Sequence, residues 1–139
     1  MGFKSANIFV NLPVKDLNKS VEFFTELGFE FNAQFTDENA TCMVIGDNIF
    51  AMLLVEDYFK SFILKDIADT KTTSEVILAL SAENREQVVE LVNKAHAAGA
   101  AHSKEAVDHG FMYQWGFQDL DGHLWEVFYM DPNAVNPTE

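Results

Sequence analysis

Basic residues, cysteine and long apolar runs are all scarce in this chain, and each scarcity excludes something. Lys and Arg together number 9 against 22 Asp and Glu, a formal net charge of -13 at pH 7. Such a surface repels phosphate backbones and anionic bilayers, which excludes nucleic acid and membrane as partners and favours neutral or cationic small ligands. The same carboxylates also serve simply to keep a protein in solution. A single cysteine, Cys42, leaves no disulfide within the chain and fits a reducing compartment, the cytoplasm. No basic residue lies near it in sequence, so Cys42 reads as a small buried hydrophobe and not as a nucleophile. The longest apolar runs, Ile49 to Val55 and Val76 to Leu80, fall far short of the roughly 20 residues that cross a bilayer. What is present, 139 residues with 48% hydrophobic content, suits one globular domain spanning residues 1–139.

Periodicity divides that domain into two similar halves. From Ile8 to Leu12 the residues alternate, with Ile8, Val10 and Leu12 on one face and Phe9, Asn11 and Pro13 on the other, the period of a strand. Leu17, Val21, Phe24 and Leu27 then recur at helical spacing, with Asp16 as the capping oxygen and Gly28 as the left-handed stop. Short strands are predicted near Phe29 to Phe35, Thr41 to Ile45 and Ile49 to Val55. The order repeats after Thr73: a strand carrying Val76, Leu78 and Leu80 opposite Ile77, Ala79 and Ser81, then a helix on Val88, Leu91, Val92, Ala95 and Ala98 that ends at Gly99. Further strands are predicted near Ala100 to Lys104, Phe111 to Gln118 and His123 to Tyr129, the last pair joined by Asp119 to Gly122. Val21-Glu22-Phe23-Phe24 aligns on Val89-Glu90-Leu91-Val92, so the repeat is one of pattern. The modules span about residues 6–56 and 75–130. In the linker, 57–74, Tyr58, Phe59, Phe62, Ile63 and Ile67 form an apolar helical face that packs on the domain, covers a ligand cavity or meets an oligomer partner.

Three stretches carry a family resemblance: Val10-Asn11-Leu12-Pro13-Val14-Lys15-Asp16-Leu17 with Ser20 and Phe23-Phe24, then Leu27-Gly28-Phe29, then Asp119-Leu120-Asp121-Gly122-His123-Leu124-Trp125-Glu126. In this order they resemble the vicinal oxygen chelate superfamily of glyoxalase I, extradiol dioxygenases and the fosfomycin- and bleomycin-resistance proteins. Ile8 to Val14 and Asp108-His109-Gly110-Phe111-Met112-Tyr113 further resemble a bacterial subgroup labelled predicted lactoylglutathione lyases. The resemblance implies an α+β fold of two tandem βαβββ modules whose mixed sheets form a cup for the ligand. In metal-using members each module supplies one metal ligand from its first strand and one from its last. Those positions fall here on Phe9, on Met52 or Leu53, on Ile77 and on Glu126, and of these only Glu126 binds a hard cation.

Strand parity gives a separate view of the cup. It places Phe9, Asn11, Ile77 and Ala79 inside, with Leu124, Glu126 and Phe128. If Gln118 pairs with His123, Trp115 stands opposite Glu126 and Tyr113 opposite Phe128, an aromatic pocket with one acid. A carboxylate among apolar neighbours is suited to proton transfer, which makes Glu126 the candidate catalytic residue; the competing reading holds it as a hydrogen-bonded relic of a metal site. Of the histidines, His96 sits late in a helix, His102 in a polar run and His123 on the face away from Glu126. His109, in a glycine-containing loop before an aromatic strand, is placed to reach the rim of the cup.

These readings converge on a cytoplasmic protein that binds a small, aromatic or cationic organic molecule without a bound metal or other cofactor, and the resemblance to bleomycin-resistance proteins implies a homodimer. Phe9, Asn11, Ile77, His109, Tyr113, Trp115, Leu124 and Phe128 are the expected ligand-binding residues. The alternatives are a metal-free enzyme using Glu126 as acid or base, and a divalent-metal lyase or dioxygenase of the glyoxalase type.

Overall fold

A computed structural model describes residues 2–133, and everything structural below refers to them. The order is β1 (Ile8–Val14), α1 (Leu17–Leu27), β2 (Glu30–Asn32), β3 (Ala40–Gly46), β4 (Ile49–Val55), α2 (Glu56–Lys60), β5 (Ile77–Ser81), α3 (Arg85–Ala97), β6 (Val107–Asp108), β7 (Met112–Gln118) and β8 (Leu124–Met130). The chain divides after Ile67 into two compact units, each built on one four-stranded sheet. The strand orders are β1-β4-β3-β2 and β5-β8-β7-β6. In both sheets the first strand runs parallel to the last and the other pairs are antiparallel. The expected α+β fold of two tandem βαβββ modules is the fold observed. No helix among the described residues is long and apolar enough to cross a membrane.

In the first unit, Asp16 caps α1 by accepting from the Lys19 amide at 3.1 Å, and Gly28 closes it at φ 106°. Both devices satisfy backbone groups that a helix end leaves orphaned. The buried side of α1 carries Ser20, Phe23, Phe24 and Leu27. Its sheet partners are the row of Leu12, Val14, Ala51, Leu53 and Met43, all no more than 2% exposed. The expected long second strand is cut short: β2 ends at Asn32 and a single 3-10 turn follows over Ala33–Phe35. The cause is Asn32, whose side chain accepts from the Gln34 amide at 2.9 Å and offers the backbone a turn in place of a ladder.

In the second unit, α3 starts at an Asn84 cap that accepts from the Gln87 amide, while the Gln87 side chain accepts from the Glu83 amide. Val88, Val92 and Ala95 are fully buried beneath it. The strand expected near Ala100 to Lys104 reduces to one bridge, Ala101 to Gln118, and the edge strand lies later, at Val107–Asp108. Arg85 at the start of α3 fixes that edge, with bonds of 2.7 and 3.1 Å to the Asp108 carboxylate.

The turn between β7 and β8 overturns the expected register. Asp119 and His123 flank it, the Asp119 amide donating to the His123 carbonyl at 3.0 Å, so the loop is the three residues Leu120, Asp121 and Gly122. Gly122 sits at φ 83°, the left-handed conformation such a loop needs. Gln118 therefore pairs with Leu124 and not with His123, which puts Gly116 opposite Glu126 and Trp115 opposite Val127. A slip of one residue turns every side chain over.

Candidate functional site

Each unit presents a sheet face turned away from its helix. In the first, Phe9, Asn11 and Pro13 of β1 share a face with Phe50, Met52 and Leu54 of β4. Phe9 stacks on Phe50 with ring centroids 4.7 Å apart, and Phe9 stays 47% exposed. Asn11 lies one pair further along, beside Met52 and Cys42. Burial pushes the Cys42 thiol up from its ordinary value, which agrees with a packing role.

A cavity of about 250 Å³ opens on this face. Its floor is Asn11, Met52, Leu54 and Ala40, and one wall is Gln34, Phe35, Thr36 and Asp37. Tyr58 and Phe62, from α2 and the turn after it, form the opposite wall, edge to face at 5.0 Å. The apolar face read in the linker thus lines a cavity as well as packing on its own unit. Asp37 is held by its backbone surroundings: its Oδ1 accepts from the Asn39 amide at 2.8 Å and the Ala40 amide at 3.1 Å. Sequence reasoning missed Gln34, Phe35, Thr36 and Asp37, because it read part of this segment as strand.

In the second unit, Ile77, Leu124 and Gln118 form one row, Ala79, Glu126 and Gly116 the next, and Ser81, Phe128 and Gln114 a third. Glu126 therefore stands between the two smallest side chains of the sheet. A methyl group at position 116 would collide with the Glu126 carboxylate and the Trp125 carbonyl, so the acid lies down over the bare glycine. A lone glycine inside an alternating strand was the available signal for this close approach.

Ile77, Leu124, Phe128 and Glu126 share a face as parity predicts, and so do Phe9 and Asn11 in their own sheet. Tyr113 and Trp115 do not join Glu126: the corrected register turns both to the α3 side. There Trp115 lies 6.1 Å from the His96 ring, and the Arg85 guanidinium sits 5.4 Å from the centre of the Tyr113 ring. Phe128 is left as the one aromatic ring in the three rows around Glu126. His109 is exposed in the β6–β7 turn with its ring 6.1 Å from Phe111. Next to it, the Arg85 guanidinium and the Gly110 amide hold the Asp108 carboxyl well below the ordinary 3.8, at about 2. His123 is buried, with Nδ1 3.7 Å from the Glu75 carboxylate.

Asp119 is buried, at 5% exposure, whereas Glu126 is half-buried, and the work of Asp119 is structural. It accepts from the amides of Asp121 and His123 and from the Trp125 indole at 2.9 to 3.0 Å, tying the turn to β8. Burial raises its pKa, while His123 and these donors pull the other way.

The structure also tests the metal positions. Met52 shares the face of Phe9 whereas Leu53 is fully buried on the α1 side, so the four positions are Phe9, Met52, Ile77 and Glu126. A phenyl ring and an alkyl chain have no lone pair to give, and a thioether suits soft ions only. Among the described residues no three His, Cys, Asp or Glu side chains come together as a metal-holding group. The side chains present do not fit a resident divalent metal.

The family model described as bleomycin resistance protein-like N-terminal matches residues 7–46. Among solved structures, the hypothetical protein SA1046 from S. aureus is 29% identical, with a TM-score of 0.78 over 91% of this chain and 95% of that one. A glyoxalase/bleomycin resistance protein/dioxygenase family enzyme from Burkholderia phytofirmans PsJN is 16% identical, at TM-score 0.76 over 88% and 96%. The genomically encoded fosfomycin resistance protein FosX from Listeria monocytogenes is 21% identical, at TM-score 0.66 over 91% and 92%. No curated protein matches the sequence.

Proposed function

From the match to the bleomycin resistance protein-like N-terminal model and the shared fold, we propose that the chain is a member of the vicinal oxygen chelate superfamily that works as a metal-independent binding protein for a small organic molecule. The observation that carries this reading is the cavity of about 250 Å³ on the sheet face of the first unit, with its mixed apolar and polar walls. Concave sites lined by apolar groups with a few placed polar ones are what small ligands need. The donor set at Phe9, Met52, Ile77 and Glu126 supports independence from metal. A thermal-shift screen with cationic aromatics, metabolite aldehydes and divalent metal ions tests it, because a ligand of the native state raises the melting point by mass action. The expected result is a shift with an organic compound and none with metals. A shift with Ni, Zn or Mn alone would sink the proposal in favour of a glyoxalase-type lyase.

A second reading makes the protein a metal-free enzyme with Glu126 as acid or base, favoured by the carboxylate's place over Gly116. Glu126→Gln then abolishes turnover of the compound found in the screen while leaving its binding measurable. Full activity in that variant removes Glu126 from the chemistry. For assembly we propose a homodimer, supported by the adjacent pair Ile8 and Ile49, which remain 57% and 46% exposed on an apolar strand end. Light scattering that returns a monomer mass at micromolar concentration excludes it.

A further inference from the structure

We propose that the cavity in the first unit recognises a small organic cation, an amine or quaternary ammonium attached to one aromatic ring system, with Asp37 as its counter-ion. This rests on the small-molecule reading and narrows it to a ligand class and a place. The Asp37 carboxylate lines the cavity in a fixed position, because its Oδ1 is held by the Asn39 and Ala40 amides and its own amide donates to the Ala40 carbonyl at 2.9 Å. Its Oδ2 has no partner among the described residues, and no Lys or Arg lines the cavity to neutralise it. A carboxylate already immobilised by the fold loses little further freedom on meeting a ligand.

The walls favour an aromatic cation in particular. Phe35, Tyr58 and Phe62 line the cavity and stay 57%, 38% and 64% exposed, so apolar ring surface faces water that a guest would displace. Ring faces also attract cations through their quadrupole. The Gln34 side-chain amide and the Tyr58 hydroxyl make no hydrogen bond with the described residues, which leaves two polar handles for a guest's substituents. A volume of about 250 Å³ lies below the range of drug-sized pockets, roughly 300–1,000 Å³, which limits the guest to one ring system. The net charge of -13 concentrates cations around the whole protein.

Isothermal titration of the full chain with phenethylamine, 2-phenylethanol and phenylacetate separates charge from shape, since the three share a ring and differ in sign. Phenethylamine should bind saturably at one site, more tightly than the alcohol, with phenylacetate weakest. Asp37→Asn keeps an oxygen to accept from the Asn39 and Ala40 amides and removes the charge. It should weaken phenethylamine about two- to fivefold and leave 2-phenylethanol unchanged. Phe62→Ala should weaken both. Equal binding of the cation and the anion, unchanged phenethylamine affinity in Asp37→Asn, or no saturable binding of phenethylamine at millimolar concentration each overturns the inference. A cation preference lost in Glu126→Gln and kept in Asp37→Asn would leave the small-molecule reading intact and move the site to the second unit.

Discussion

Glu126 and Gly116 illustrate how much one residue's meaning depends on the residue beside it. A carboxylate on an apolar strand suggests a ligand or a base, but its geometry here follows from the missing side chain at position 116. Gly116→Ala should therefore destabilise by about 1–3 kcal/mol, the range for forcing extra carbon into a filled space. Part of that cost should vanish in a Glu126→Ala background, where thermal melts of the double-mutant cycle would show coupling of about 1 kcal/mol. Strict additivity would mean that the carboxylate does not rest on the glycine. The pair Arg85 and Asp108 gives a pH prediction at the same scale. The folded carboxyl is depressed to about 2 from an ordinary 3.8, so the stability it contributes is complete above the unfolded value and is lost as pH falls through about 2. Carbon-detected titration of Asp108 should find that low midpoint, and Arg85→Gln should return it toward 3.8, since the guanidinium hydrogen bond is the largest cause of the shift. These acids were legible as residue types, but their positions were not, because neither a neighbouring glycine's bare surface nor an arginine 23 positions away announces a contact.

Elements were legible wherever local chemistry fixed their ends. The first helix has the bounds that Asp16 and Gly28 predict, because both act on backbone groups within a few positions of themselves. Asp16→Ala should cost about 1 kcal/mol, within the usual range of 0.5–2 for a lost cap, and urea melts would register it. No measurable loss would show that packing of Phe23, Phe24 and Leu27 alone sets the start of α1. The misread elements are those where side chains compete for the backbone. Asn32 turns a predicted strand into a 3-10 turn and so creates the wall of the cavity. Asp119 makes the β7–β8 loop three residues long, which sends Tyr113 and Trp115 to α3 and brings Gly116 to Glu126. A sequence read for alternation cannot separate two registers that differ by one, since both keep perfect alternation and only the turn chooses.

For the molecule as a whole, the donor count predicts indifference to chelators. A metal bound at a hundred times its Kd would add about 2.7 kcal/mol of apparent stability, so stripping one from a metal-dependent fold lowers the melting point by several degrees. Treatment with EDTA should leave the melting midpoint of this protein within about 1 °C. A drop of several degrees would mean that a bound metal contributes to the fold despite Phe9, Met52 and Ile77. The sequence by itself determined the α+β class and the two tandem modules, because periodicity and caps are local and survive without coordinates; the loss of donors at three positions was legible only through the family resemblance. Only the tertiary structure decided which side chains meet. The register at Asp119, the bed of Gly116 under Glu126 and the cavity walled by Asp37, Tyr58 and Phe62 all depend on pairings between distant segments, and those are fixed by backbone hydrogen bonds and packing that no local pattern encodes.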